Sequence, residues 1–203
     1  MELLGVTLFI SLWLSLVGLI HYAEKKGLMR LLKQLESPDQ GQRIRALDEL
    51  IRMGPSRMKT FIKALRHKDP VVRKGIVKVL GKSGDFHVIE PLIKAARDKH
   101  KPVRYEAITA LGRTGDLNAA EFLVRILENK NQDPGMRWRA ASALGETNQL
   151  LAVGPLLNAL EEQDGTIRKK AIEALGKIKD QQAIRPLVTL LGDESSEIRS
   201  LAA

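Results

Sequence analysis

Cysteine is absent from the 203 residues. Disulfides, thiolate nucleophiles and cysteine-ligated metals are therefore excluded. Aromatic residues make up only 4% of the chain, which leaves few of the stacking platforms that binders of single-stranded nucleic acid use. The four histidines, His21, His67, His87 and His100, are none of them followed by Glu. Only His87 and Glu90, three apart, could meet on one helix face. Two ligands fall short of the three that an open catalytic metal site takes, so the pair reads as surface residues, and no metal or cofactor is expected.

Charge is missing from residues 3–20, LLGVTLFISLWLSLVGLI. With His21 and Tyr22 this run reaches the length that crosses a hydrocarbon core of about 30 Å, and it reads as a transmembrane helix. A cleaved signal peptide fits worse, because no Lys or Arg precedes the run and HYA-E lacks the small residue of a cleavage site. Lys25, Lys26, Arg30 and Lys33 follow it, which predicts a single-pass membrane protein with its N-terminus outside and its C-terminal domain cytoplasmic. Residues 1–27 are then anchor and junction, with Gly27 as the break between membrane helix and folded domain, and residues 28–203 are the domain.

Past residue 36 the chain repeats. QRIRALDELIRMG, VRKGIVKVLGKSGD, VRYEAITALGRTGD, MRWRAASALGETNQ and IRKKAIEALGKIKD share an Arg at the second position and a Leu eight residues after the first. The copies start near 42, 72, 103, 136 and 167, with a partial sixth near 198. Arg43, Arg73, Arg104, Arg137, Arg168 and Arg199 fall in register, the sequence signature of a solenoid. Each unit splits into two helical stripes, for example Val72, Ile76, Val79 and Leu80, then Val88, Ile89, Leu92, Ile93 and Ala96. Gly81, Gly112, Gly145 and Gly176 follow the last Leu of each first helix, where a left-handed residue could end it. Pro91, Pro155 and Pro186 fall in the opening turn of each second helix, and Asp69-Pro70 and Asp133-Pro134 read as N-caps followed by first-turn prolines.

The recurring V/I-R-x-x-A-x-x-A-L-G-x-x-G-D followed by A/V-I-x-P-L resembles the short HEAT repeat of the phycobilisome-lyase type, over residues 28–203. The resemblance implies an all-α, right-handed α-solenoid of about five helical hairpins with half-units at each end, the second helices lining the concave face. Some members of the wider family attach bilins, and the deoxyhypusine hydroxylases bind iron through His-Glu dipeptides. The dipeptides are missing here, and no enzymatic activity is expected.

Asp39, Asp69, Asp133 and Asp164 each lie four residues before a repeat arginine, so the row Arg43 to Arg199 reads as a structural ladder between units. His100 replaces the carboxylate before Arg104, which makes that arginine the odd one of the row. Down the second helices one outward column runs Lys33, Lys63, Lys94, Arg125, Asn158, Thr189. Its neighbours run Met29, Lys59, Glu90, Glu121, Gly154, Arg185 and Glu36, Arg66, Arg97, Glu128, Glu161, Gly192. Lys33, Lys59, Lys63, Arg66, Lys94, Arg97 and Arg125 thus form a candidate partner-binding patch. Residues 24–104 hold 21 Lys and Arg against 9 Asp and Glu, and residues 105–203 hold 12 against 14. The excess points to an acidic protein or peptide partner, and to an anionic membrane surface. Tyr105 and Trp138, at matching positions on adjacent first helices, could anchor a protein partner or pack on a neighbouring helix.

The function that fits these features is a membrane-anchored scaffold docking a protein or peptide through a basic concave patch. A bilin-lyase-like enzyme or subunit is the alternative, and a membrane-tethered nucleic-acid binder, disfavoured by the aromatic shortage, a second.

Overall fold

In the computed structural model, residues 25–54 and 57–203 are described, and among them every regular element is helical. The chain divides at Met53 and Gly54 into two compact units. The first holds α1 (residues 25–34) and α2 (Gln40–Arg52), with Leu28, Leu31, Leu35, Ala46 and Leu50 buried. Helix α1 runs through Gly27 without interruption. The break expected at that glycine is therefore not there.

Among the described residues no helix is long and apolar enough to cross a membrane. That finding overturns the single-pass localisation expected above. The apolar run 3–20 on which the expectation rested lies outside the described residues.

The second unit is an all-α repeat solenoid. Its first-position helices are α4 (Pro70–Leu80), α6 (Lys101–Thr114), α8 (Pro134–Thr147), α10 (Gly165–Ile178) and α12 (Ser196–Ala202). Its second-position helices are α3 (Met58–Ala64), α5 (Ile89–Ala95), α7 (Leu117–Glu128), α9 (Val153–Ala159) and α11 (Ile184–Thr189). Helices α4, α6, α8, α10 and α12 pack in succession, as do α5, α7 and α9, so two layers enclose one continuous apolar core. Ile76, Leu80, Leu92, Ile108, Leu111, Leu123, Leu144 and Leu156 are fully buried in it.

Capping follows the sequence closely. The carboxylates of Asp69 and Asp164 accept from the N–H groups of Val71 and Thr166 at 2.7 and 2.8 Å, and Pro70, Pro102 and Pro134 occupy first turns. The second helices of three units open with a 3-10 turn, Phe86–Val88, Leu150–Ala152 and Gln181–Ala183, and then place Pro91, Pro155 or Pro186 inside the first α turn. A proline there loses no intrahelical bond. Helix α7 has neither the 3-10 turn nor the proline, and it is correspondingly the longest second helix at 12 residues.

The repeat glycines have a different role from the one expected. Gly81 is right-handed (φ −66°), and Gly112 and Gly145 lie inside helices. The left-handed residue that ends α6, α8 and α10 comes three positions after the repeat glycine, as Gly115 (φ 64°), Asn148 (φ 52°) and Lys179 (φ 57°). What the repeat glycine supplies is close approach. A Cβ on Gly112 would lie 2.7 Å from Ala143 Cβ and 2.8 Å from Ala143 Cα, and one on Gly145 would lie 2.7 Å from Ala174 Cα. Gly112 and Gly145 thus each receive the alanine of the next unit's first helix, whereas nothing lies within 4 Å of that point on Gly176.

The repeat arginines also depart from the local pairing expected. Asp39, Asp69 and Asp164 cap their helices, while the guanidiniums of Arg73, Arg137 and Arg168 reach a carboxylate 25 residues on. Arg73 Nη1 donates to the carbonyls of His67 and Lys68 at 2.7 and 2.9 Å, and its Nε and Nη2 donate to the Asp98 carboxylate at 2.7 and 2.9 Å. Its Nη2 is also 3.0 Å from His100 Nδ1. Arg137 reaches Glu162 at 2.6 Å and the Leu127 carbonyl at 2.8 Å, and Arg168 reaches Asp193. Arg43 and Arg199 meet loop carbonyls. Burial pushes Asp98 toward protonation, but the hydrogen bonds from Arg73 and from the His100 N–H outweigh it and hold the carboxyl below its ordinary range.

Arg104, between the carboxylate-bound Arg73 and Arg137, also lacks a carboxylate partner among the described residues. Residue 129 is Asn, and Arg104 donates to the carbonyls of Asp98 and Lys99 at 2.8 and 3.1 Å. Across that same seam Asp133 supplies the missing link. Its side chain makes no N-cap bond, contrary to the Asp-Pro reading; it accepts instead from the Tyr105 hydroxyl at 2.8 Å and pairs with Lys101 Nζ at 2.7 Å. Lys101 and Tyr105, donating to it, lower the carboxyl from 3.8 to about 2. A depressed folded-state value stabilises the fold above the unfolded pKa and loses that contribution as pH falls through the folded one. Acid titration should therefore weaken this seam between about pH 4 and about 2. Circular dichroism of Asp133→Asn, which has no such carboxylate, should show a smaller loss of stability over that window than the parent.

Candidate docking site

Helices α3, α5 and α7 present the basic patch. Lys59, Lys63, Arg66, Lys94, Arg97 and Arg125 are all exposed, as are Asn158 and Thr189 further along the same column. The second-helix stripes bury Phe61, Leu92, Leu123 and Leu127, which turns these polar positions outward. None of the six cations has a carboxylate within ion-pair distance among the described residues. Elsewhere Lys101, Lys130, Lys169, Lys170 and Lys177 each meet an Asp or Glu. Lys33, also exposed, belongs to the first unit.

Between α3 and α5 the surface opens into a cleft of about 230 Å³, floored by Ile62, Leu65, Pro91, Ala95 and Val103 and flanked by Arg66 and Lys94. Asp98 also lines it, with its carboxylate already held by Arg73. Apolar floor and cationic rim together suit an extended segment carrying acidic side chains. At the next step along the layer, Phe122 and Ile126 stand where Pro91 and Ala95 stand in α5. Both are buried, and the Arg97 guanidinium lies 5.9 Å from the Phe122 ring centroid. The cleft shape was missing from the sequence reading. The signal was present as P-L-I-K-A against F-L-V-R-I at one repeat position.

The two aromatics expected on the first helices are engaged with their own chain. Arg139 lies between them, its guanidinium 3.9 Å from the Tyr105 centroid and 3.8 Å from that of Trp138. Its Nη1 donates to the Gly135 carbonyl at 2.8 Å, and burial lowers its pKa. Such cation–π stacking is an intramolecular use of surfaces that were candidates for partner contact. His87 and Glu90 are both exposed, and His87 stacks on Phe86 at 4.2 Å with its Nδ1 2.8 Å from Asp85. Among the described residues no group of three His, Cys, Asp or Glu could hold a metal ion.

The family model for HEAT repeats matches residues 28–98, 58–134, 89–153 and 129–203, overlapping without a gap from 28 to the last residue. The chain belongs to the HEAT repeats. Among curated proteins no sequence matches it. Solved structures similar to this HEAT-repeat chain include E. coli YibA, at 21% identity and a TM-score of 0.65 over 85% of this chain and 67% of that one. The complex of CpcE and CpcF of phycocyanin lyase from Nostoc sp. matches at 21% identity and a TM-score of 0.52, covering 85% and 73%. An engineered protein matches at 22% identity and a TM-score of 0.53, covering 87% and 93%. At these identities the likeness is one of fold.

Proposed function

We propose that the protein is a non-enzymatic scaffold that docks an acidic protein or peptide on the face formed by α3, α5 and α7. The observation that carries this reading is the set of six exposed cations with no carboxylate partner among the described residues, two of which, Arg66 and Lys94, flank an apolar cleft. Membership of the HEAT repeats is consistent with a protein-interaction scaffold. The likeness to the phycocyanin lyase complex carries no activity over, since it is one of fold.

Fluorescence anisotropy with a Glu-rich synthetic peptide tests the reading. Lys63→Glu, Lys94→Glu and Arg125→Glu together should weaken binding by about tenfold or more, and raising the salt should weaken the parent in the same direction. An unchanged Kd in the triple variant would remove the face from consideration. Tighter binding to a single-stranded RNA of equal charge would transfer the surface to nucleic acid.

A further inference from the structure

A second cleft, of about 440 Å³, lies between α7 and α9, two repeats beyond the basic one. Its floor repeats the first: Leu127 stands for Leu65, Pro155 for Pro91 and Ala159 for Ala95. Its rim does not. Glu128 takes the place of Arg66, Asn158 of Lys94, and Glu161 of Arg97. The carboxylate common to both clefts is neutralised in each, Asp98 by Arg73 and Glu162 by Arg137 and Lys130. Glu128 and Glu161 are exposed, and neither meets a cation within ion-pair distance among the described residues. Two clefts at repeat-equivalent positions therefore carry opposite charge, and the step between them is closed by Phe122 and Ile126.

Resting on the docking face proposed above, we infer that the partner is a bipolar extended segment, with acidic side chains at the α3/α5 cleft and basic side chains at the α7/α9 cleft. Two helix-to-helix steps of about 10 Å each separate the clefts. An extended chain covers that distance of about 20 Å in about six residues. Charge inversion at repeat-equivalent sites then fixes register and direction. A uniformly acidic segment would set like charges against Glu128 and Glu161, and a one-repeat slip would place side chains against Phe122.

The test compares two synthetic peptides on the full chain by anisotropy. Each carries two Asp at one end, and after about six neutral residues one carries two Arg and the other two Gln. The Arg peptide should bind about tenfold tighter. Glu128→Lys with Glu161→Lys should erase that preference and favour a peptide with Asp at both ends, a gain that also shows the variant is folded. Arg66→Glu with Lys94→Glu should weaken both original peptides. Equal affinity of the Arg and Gln peptides, or a preference unchanged in the Glu128/Glu161 variant, would overturn the bipolar partner while leaving the acidic docking face standing. Binding of neither peptide would overturn both.

Discussion

Gly112→Ala should destabilise the solenoid by about 3 kcal/mol, while the same substitution at Gly176, the equivalent position in a later repeat, should be neutral or stabilise by up to about 1 kcal/mol. In most exposed helix positions alanine is the better helix former, since glycine loses more backbone freedom on folding. At Gly112 the added methyl would lie 2.8 Å from both the Cα and the carbonyl oxygen of Ala143. Backbone atoms on a packed helix have no rotamer to move into, so α6 and α8 must separate. Nothing lies within 4 Å of the corresponding point on Gly176. Urea denaturation of the two variants, side by side, checks the pair. A Gly112→Ala protein as stable as the parent would show that the helix layers yield more readily than their packing implies.

Replacing Arg73 by Met should also cost about 3 kcal/mol, whereas Arg104→Met should cost about 1 kcal/mol or less. Both are the repeat arginine of their unit, and both donate to two loop carbonyls. Arg73 is 6% exposed and also carries the two-pronged bond to Asp98. Without it the Asp98 carboxylate, whose side chain is 14% exposed, keeps only His100. Arg104 has no carboxylate to abandon, and Asp133 already joins that seam through Lys101 and Tyr105. Comparing the urea midpoints separates a general role of the repeat arginine from one that depends on its carboxylate. Equal losses at both sites would favour the carbonyl contacts as the main contribution.

Much of this was legible from the sequence because a repeat multiplies weak signals. Asp-Pro at 69 and 70, the prolines at 91, 155 and 186, and the two apolar stripes per unit each recur, and the helices begin where they indicate. The exposed column Lys63, Lys94, Arg125 was legible for the same reason, since its register follows from the buried leucines. Three features were not. The repeat glycine looks like a helix terminator from local propensity, yet its use depends on an alanine about 30 residues away. The arginine's carboxylate partner is a tertiary neighbour, hidden behind a nearer aspartate that satisfies a sequence rule. The clefts arise from what proline and alanine fail to fill, and absence of volume leaves no periodic trace.

The polar links across the seams of the second unit close short loops. Arg73 to Asp98, Arg137 to Glu162 and Arg168 to Asp193 each span 25 residues, Tyr105 to Asp133 spans 28 and Gln149 to the Gly115 carbonyl spans 34. Among these links none reaches beyond the adjacent unit. The entropy of closing such loops varies little among them, and sequence-local contacts of this kind go with rapid folding. Assembly in the second unit can then begin at any hairpin and spread outward one neighbour at a time, so that the order of events is set by which seam is strongest.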